Sequence, residues 1–166
     1  MGEGTVQNSL KLNLGAGPRR LEGYVSVDID PKDADIVADV RDLHMIESNS
    51  ADEIIAIHVI EHFYKWEVQP MLMEWRRVLK PKGKIILECP NLDFVCKAVL
   101  NGQADNLGMW GLYGNPGLKN EFHCHHWGYT PVSLMNELRL AGFRFPEVKQ
   151  AQFKIPQRDM RVEATK

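Results

Sequence analysis

The sequence predicts an α/β layered domain: a mostly parallel sheet, closed near the C-terminus by an antiparallel strand pair. Three observations lead there. Runs rich in Val and Ile at 12–14, 24–29, 36–40, 53–59 and 84–89 are too continuous for strands with one wet face, and so read as strands buried on both faces. Between the last two runs lies 66–79, where Val68, Met71, Leu72, Trp75, Val78 and Leu79 recur at helical spacing. Finally, 147–153 and 160–164 flank a short connection and pair as a hairpin.

The elements follow in order. The first strand runs into Gly15-Ala16-Gly17-Pro18, a glycine turn of the kind that lets a backbone approach a ligand. Only six residues separate Gly17 from Tyr24, too few for an ordinary crossover helix, so that helix is expected to be missing or reduced to a turn. The helix 66–79 meets a stop signal in Lys80-Pro81-Lys82-Gly83. A second helix starts at Thr130 as N-cap with Pro131 in the first helical position, shows Leu134, Met135, Leu138 and Ala141 as its apolar stripe, and ends at Gly142. The intervening 101–127 is rich in glycine and holds Trp110, Tyr113, Trp127 and "HCHH"; it reads as a lid or acceptor loop.

With 166 residues, 44% of them hydrophobic, the chain buries one core, giving a single domain over 1–166 with a flexible 1–10. A net charge of −2 without a basic block excludes the usual footprint of a nucleic-acid binder. Neither a signal-peptide pattern nor a membrane span is visible, so a cytoplasmic protein with no membrane partner is expected. Cys89, Cys96 and Cys124 are odd in number and scattered, which fits neither a disulfide framework nor a four-cysteine zinc site.

In a doubly wound sheet the ligand lies beyond the carboxyl ends of the strands, at the point where strand order reverses. Gly15 and Gly17 sit at such an end, and Asp28 or Asp30, closing the next strand, can accept both hydroxyls of a ribose. A dinucleotide fingerprint would place its third glycine where Arg20 stands, which disfavours a nicotinamide enzyme.

"LNLGAGP", "VSVDIDP", "DIVADVRDL", "IIAIHVIEHF", "EWRRVLKPKGKIILECPN" and "WGYTP…LMNELRLAGF" follow one another over about 11–164 in an order that resembles the class I S-adenosylmethionine-dependent methyltransferases, especially compact members with "HVLEH" and "LKPGG" patterns. The resemblance implies a Rossmann-like methyltransferase fold, S-adenosylmethionine as cofactor and S-adenosylhomocysteine as product. It places Gly15, Ala16 and Gly17 under the methionyl and ribose parts, Asp28 on the ribose diol, Asp39 on the adenine amino group with the Val40 backbone beside the ring, and His58 near the sulfonium. Two departures from the family, the missing first crossover helix and the near absence of an N-terminal one, leave Arg19 or Arg20 to pair with the methionyl carboxylate.

Methyl transfer needs alignment and dryness more than covalent chemistry, and a hydroxyl or ammonium acceptor also needs a base. His58, Glu61, His62, His125 and His126 are candidates by residue type. No metal is expected, because the adjacent side chains of His123, Cys124, His125 and His126 do not readily converge on one ion and no second cluster is evident. A small-molecule or glycan hydroxyl is the expected acceptor and a homodimer the expected assembly. The competing class is a non-catalytic module that holds the cofactor and regulates a partner.

Overall fold

The computed structural model describes residues 9–166. Among them β1 (Lys11–Leu14), β2 (Val25–Asp28), β3 (Ile36–Val37), β4 (Ala51–Ile57), β5 (Leu79–Pro90), β6 (Arg144–Gln150) and β7 (Asp159–Thr165) form one sheet in the order β3-β2-β1-β4-β5-β7-β6. The first five pair in parallel, while β7 runs antiparallel to both β5 and β6. Helices α1 (Lys65–Val78), α2 (Leu92–Leu100), α3 (Met109–Tyr113) and α4 (Pro131–Leu140) complete the layers. Strand order reverses between β1 and β4, so the switch point falls between Gly15 and His58.

The continuous apolar run of β4 divides between the two faces with period two. Ile54 and Ala56 join Leu12, Leu14 and the α1 and α4 residues Met71, Trp75, Leu134 and Leu138 in the main core. Ile55 and Ile57 point the other way and, with Ile86, form a small cluster covered by Leu21, Tyr24 and Phe153. Residues 15–24 contain turns and no helix, as expected from their brevity. The short turn and the chain around Phe153 therefore cover a face that a crossover helix would otherwise occupy. Trp75, fully buried, donates its indole N–H to the Val40 carbonyl at 2.7 Å, fastening α1 to the segment beyond β3.

Several boundaries differ from the sequence-based expectation for identifiable reasons. The run 36–40 is strand only to Val37: the Ala38 N–H still reaches the Asp28 carbonyl at 2.9 Å, and the chain then turns. β4 stops at Ile57 because His58 adopts a left-handed φ of 56°, leading into a 3-10 turn over Ile60–His62. Pairing along β5 begins earlier than 84, at Leu79, and jumps from Ala51↔Leu79 to Glu53↔Lys84, with Lys82 at φ 67° looping the Lys80–Gly83 stretch out as a bulge.

α2 was not anticipated, although Asn91 carries its signal by accepting from the Asp93 N–H at 3.1 Å as an N-cap. α4 begins as expected, with Thr130 and Ser133 exchanging side-chain and backbone hydrogen bonds. The expected flexible 1–10 falls mostly on 1–8, outside the described residues. Leu10 packs against the main core and donates its N–H to Asp52 Oδ2 at 2.9 Å.

Candidate active site

The glycine turn is shaped by backbone conformation first. Gly15 and Gly17 have φ of 59° and 51°, in the left-handed region where side chains are disfavoured. A Cβ on Gly15 would lie 2.7 Å from Val59 Cγ2, whereas one on Gly17 would enter open space. Gly15→Ala is therefore expected to cost about 1–2 kcal/mol of stability, read as a lower urea midpoint with an unchanged slope. The N–H groups of Gly15 and of the buried Ala16 both donate to the Val27 carbonyl, at 2.8 and 3.4 Å.

Asp28 ends β2 directly beside this turn. Its Oδ2 accepts from the Gly17 N–H at 2.8 Å and its Oδ1 from the Asp30 N–H at 2.9 Å, leaving lone pairs on both oxygens for further donors. Asp30 is exposed and accepts from the Lys32 N–H at 3.0 Å, a turn-forming role. The two arginines separate clearly. Arg20 is committed to Asp35 at 2.6 Å on the surface. Arg19 instead lies with its guanidinium 5.3 Å over the Phe153 ring, and its buried Nη1 has no partner among the described residues. Buried Asn13 donates to the Arg19 carbonyl at 3.0 Å, folding this turn back over β1.

Asp39 is held in a fork by Arg41, whose Nε and Nη2 lie 3.0 and 2.6 Å from Oδ2 and whose backbone N–H reaches Oδ1 at 2.9 Å; the guanidinium holds this carboxyl below its ordinary pKa. Arg41 also reaches Glu67 at 2.7 Å. An adenine amino group would have to share or displace that fork, whereas Val40 sits buried beside it.

At the end of β4, His58 lies in a buried ion network. Its Nδ1 is 3.0 Å from Glu61 Oε1 and its Nε2 is 2.7 Å from Asp159 Oδ2, so both ring nitrogens face carboxylates. Asp159 also receives Arg158 Nε at 2.6 Å and the Ile155 N–H at 3.2 Å. Burial opposes the imidazolium, but Glu61 and Asp159 outweigh it and raise the His58 pKa. Burial likewise opposes the Glu61 carboxylate, and His58 beside it outweighs that cost, holding the group ionised. A histidine occupied at both nitrogens has no lone pair with which to take a proton from an acceptor.

The 101–127 segment closes onto this end of the sheet. The N–H groups of His126 and Trp127 donate to the Glu61 carbonyl at 2.8 and 3.2 Å. This brings the His125 ring to 4.9 Å from that of His62, centroid to centroid. His126 turns away, exposed and stacked on Tyr64 at 4.2 Å, so His125 rather than His126 joins the interior cluster. A cavity of about 280 Å³ lies here, lined by His58, His62, His125, Trp110, Lys154 and Arg158 among others. Of the three aromatics in the expected lid or acceptor loop, Trp110 lines this cavity and also a neighbouring one of about 570 Å³ within the loop, Tyr113 lines only that neighbour, and Trp127 is exposed.

The sheet order, the glycine turn at its switch point and the carboxylate ending β2 define the frame of a Rossmann-like methyltransferase. Residues 1–87 match the family described as "Methyltransferase domain", and the chain belongs to that family. Its fold is similar to that of a SAM-dependent methyltransferase from Archaeoglobus fulgidus, with TM-score 0.68, 16% identity, and coverage of 96% of this chain and 87% of that one. A SAM-dependent methyltransferase from Thermotoga maritima, described as a possible histamine N-methyltransferase, gives TM-score 0.66 at 17% identity, covering 97% and 84%. One from Mesorhizobium loti gives 0.64 at 16%, covering 96% and 91%. No curated protein matches the sequence.

S-adenosylmethionine is the cofactor that this family implies. The residues present fit it: the glycine turn leaves open space at Gly17, Asp28 keeps free lone pairs for a diol, and the orphaned Arg19 Nη1 suits a carboxylate. Among the described residues no helix is long and apolar enough to cross a membrane.

Proposed function

We propose that this protein is an active methyltransferase that moves the cofactor's methyl group to a hydroxyl of a small molecule or glycan. The observation that supports this most is the histidine-lined cavity at the carboxyl end of β4, the strand beside the one that runs into the glycine turn. When bound, S-adenosylmethionine supplies a methyl carbon made electrophilic by its sulfonium. Gly15, Ala16 and Gly17 let the backbone close on it, Asp28 accepts the ribose hydroxyls, and the Asp39–Val40 corner borders the base. The 101–127 segment covers part of this end of the sheet and limits the water there, which strengthens polar contacts inside.

His62 and His125 are the bases best arranged for an acceptor proton. Their Nδ1 atoms lie 3.0 Å from the carbonyls of Cys124 and Gly111, so each is the N–H donor there, and each Nε2 keeps its lone pair. Burial lowers both pKa values and keeps the rings neutral near pH 7. His58 has a different part, holding Glu61 and the start of the 3-10 turn in place.

Arg19 rather than Arg20 takes the methionyl carboxylate in this reading. Arg19→Ala is expected to weaken S-adenosylhomocysteine binding by roughly tenfold or more, the loss of one charge-assisted hydrogen bond, while Arg20→Ala changes it little. Isothermal titration of both variants tests this, and equal effects would contradict it. The regulatory-module reading separates by turnover: cofactor binding with no methylation across a panel of polyol, sugar and phenol acceptors would favour it.

A further inference from the structure

We propose that Glu61, His62 and His125 form a binding site for one divalent transition-metal ion of the zinc class, at the wall of the acceptor cavity. Their ligand atoms all lie within 4.8 Å of one another, so one ion would have to draw them in to the roughly 3.4 Å spacing that tetrahedral bonds of about 2.1 Å set. The segment 123–126 alone cannot supply such a set, since neighbouring side chains diverge. The fold supplies the missing half by hydrogen-bonding the backbone of His126 and Trp127 to the Glu61 carbonyl, which sets His125 against the Glu61-His62 pair.

Two independent features show that the cluster is built for a ligand. The Glu61 side chain is 2% exposed; among the described residues Oε1 has the 3.0 Å approach of His58 Nδ1 and Oε2 has no partner. The His58 imidazolium answers Oε1 alone, and the buried Oε2 is the oxygen left for a further cation. The histidines, for their part, each donate Nδ1–H to a backbone carbonyl, Cys124 for His62 and Gly111 for His125. That arrangement fixes the tautomer whose Nε2 lone pair binds metal, and is the usual outer support of a metal-binding histidine.

Two neutral imidazoles and one carboxylate suit zinc or its first-row neighbours better than calcium or magnesium, which prefer oxygen. Three protein ligands leave a coordination position open, as catalytic rather than structural sites do. His62 and His125 also line the cavity, so an ion that they hold would lie at its wall. The consequence for catalysis rests on the methyltransferase reading and replaces the base role of His62 and His125, whose Nε2 lone pairs would be on the ion: a coordinated acceptor hydroxyl loses its proton more easily, the proton passes to solvent, and the O–CH3 bond forms as the S–CH3 bond breaks, leaving a neutral thioether. This narrows the acceptor to a hydroxyl able to reach a metal, as in a polyol or sugar. Lys154, which also lines the cavity and whose charge acts on Glu61, is the opposing cation a bound ion would have to tolerate.

The test measures metal and cofactor separately. Protein stripped with a chelator is titrated calorimetrically with zinc chloride alone, and in a second cell with S-adenosylhomocysteine alone. Expected is one zinc per chain in the wild type, weakened at least about a hundredfold in His62→Asn and in His125→Asn, and unchanged in His44→Ala and Cys96→Ser, which control for surface histidine and thiol binding. His125→Asn lies in the surface segment and leaves the sheet intact; retained S-adenosylhomocysteine binding and an unchanged circular dichroism spectrum certify that it is folded. Zinc binding that is absent from the wild type, or that survives in both histidine variants, overturns the metal site. Loss of S-adenosylhomocysteine binding in the wild type would instead count against the methyltransferase reading and leave the zinc result standing.

Discussion

Replacing His58 by alanine is expected to cost about 3–5 kcal/mol of stability, as breaking a buried ion network does. The size follows from what remains behind. His58 lies between Glu61 and Asp159 at 3.0 and 2.7 Å, and both carboxylate side chains are 2% exposed or less. Without the imidazolium, Asp159 still has Arg158 and the Ile155 N–H, whereas Glu61 faces its neighbours uncompensated. An unfolding free energy that drops by less than about 1 kcal/mol in urea would contradict the network. The double variant His58→Ala/Glu61→Gln separates the causes: if the cost is mainly a stranded carboxylate, it is smaller than the sum of the single losses.

The second large effect falls on the cofactor. Asp28→Ala removes the acceptor for the Gly17 and Asp30 N–H groups and, in the proposed complex, the acceptor for a ribose diol. Hydrogen bonds to a charged group are worth about 1.5–3 kcal/mol each, so S-adenosylhomocysteine affinity is expected to fall by roughly a hundredfold. Asp28→Asn keeps one acceptor oxygen and should fall between alanine and wild type. Titration calorimetry at fixed ionic strength reads both, and an unchanged affinity in the alanine variant would remove Asp28 from the site.

The parts of the fold legible in the sequence were those governed by local pattern. Continuous Val and Ile runs indicated buried parallel strands, the α1 stripe and the Thr130-Pro131 start indicated helices, and six residues between Gly17 and Tyr24 excluded a crossover helix. What was not legible depends on distant partners. The early stop of β4 requires His58 at φ 56°, a conformation supported by carboxylates three and 101 residues away in sequence. β5 begins early because a bulge lets Leu79 pair with Ala51 across the looped Lys80–Gly83 stretch.

The site shows the same division. Gly15, Gly17 and Asp28 are adjacent in space because their strands are neighbours, which the order of the motifs already indicated. That Arg19 stays unpaired while Arg20 is committed depends on Asp35 and Phe153, which no short motif contains. Asp159 and Arg158 were missed as site residues: the sequence places them in a hairpin connection, and only the antiparallel register, Pro90↔Asp159, carries them to the end of β4. The choice between His125 and His126 rested on how the segment docks on the Glu61 carbonyl, a tertiary hydrogen bond with no local signature.

In the proposed function the glycine turn and the histidine-lined cavity are two halves of one methyl-transfer site. A crystal structure of the protein soaked with S-adenosylhomocysteine tests it most directly. The account predicts the ribose hydroxyls on Asp28, the homocysteine carboxylate on Arg19, and the sulfur opening toward His62 and His125. Ligand bound elsewhere, or no binding at millimolar concentration, would contradict it.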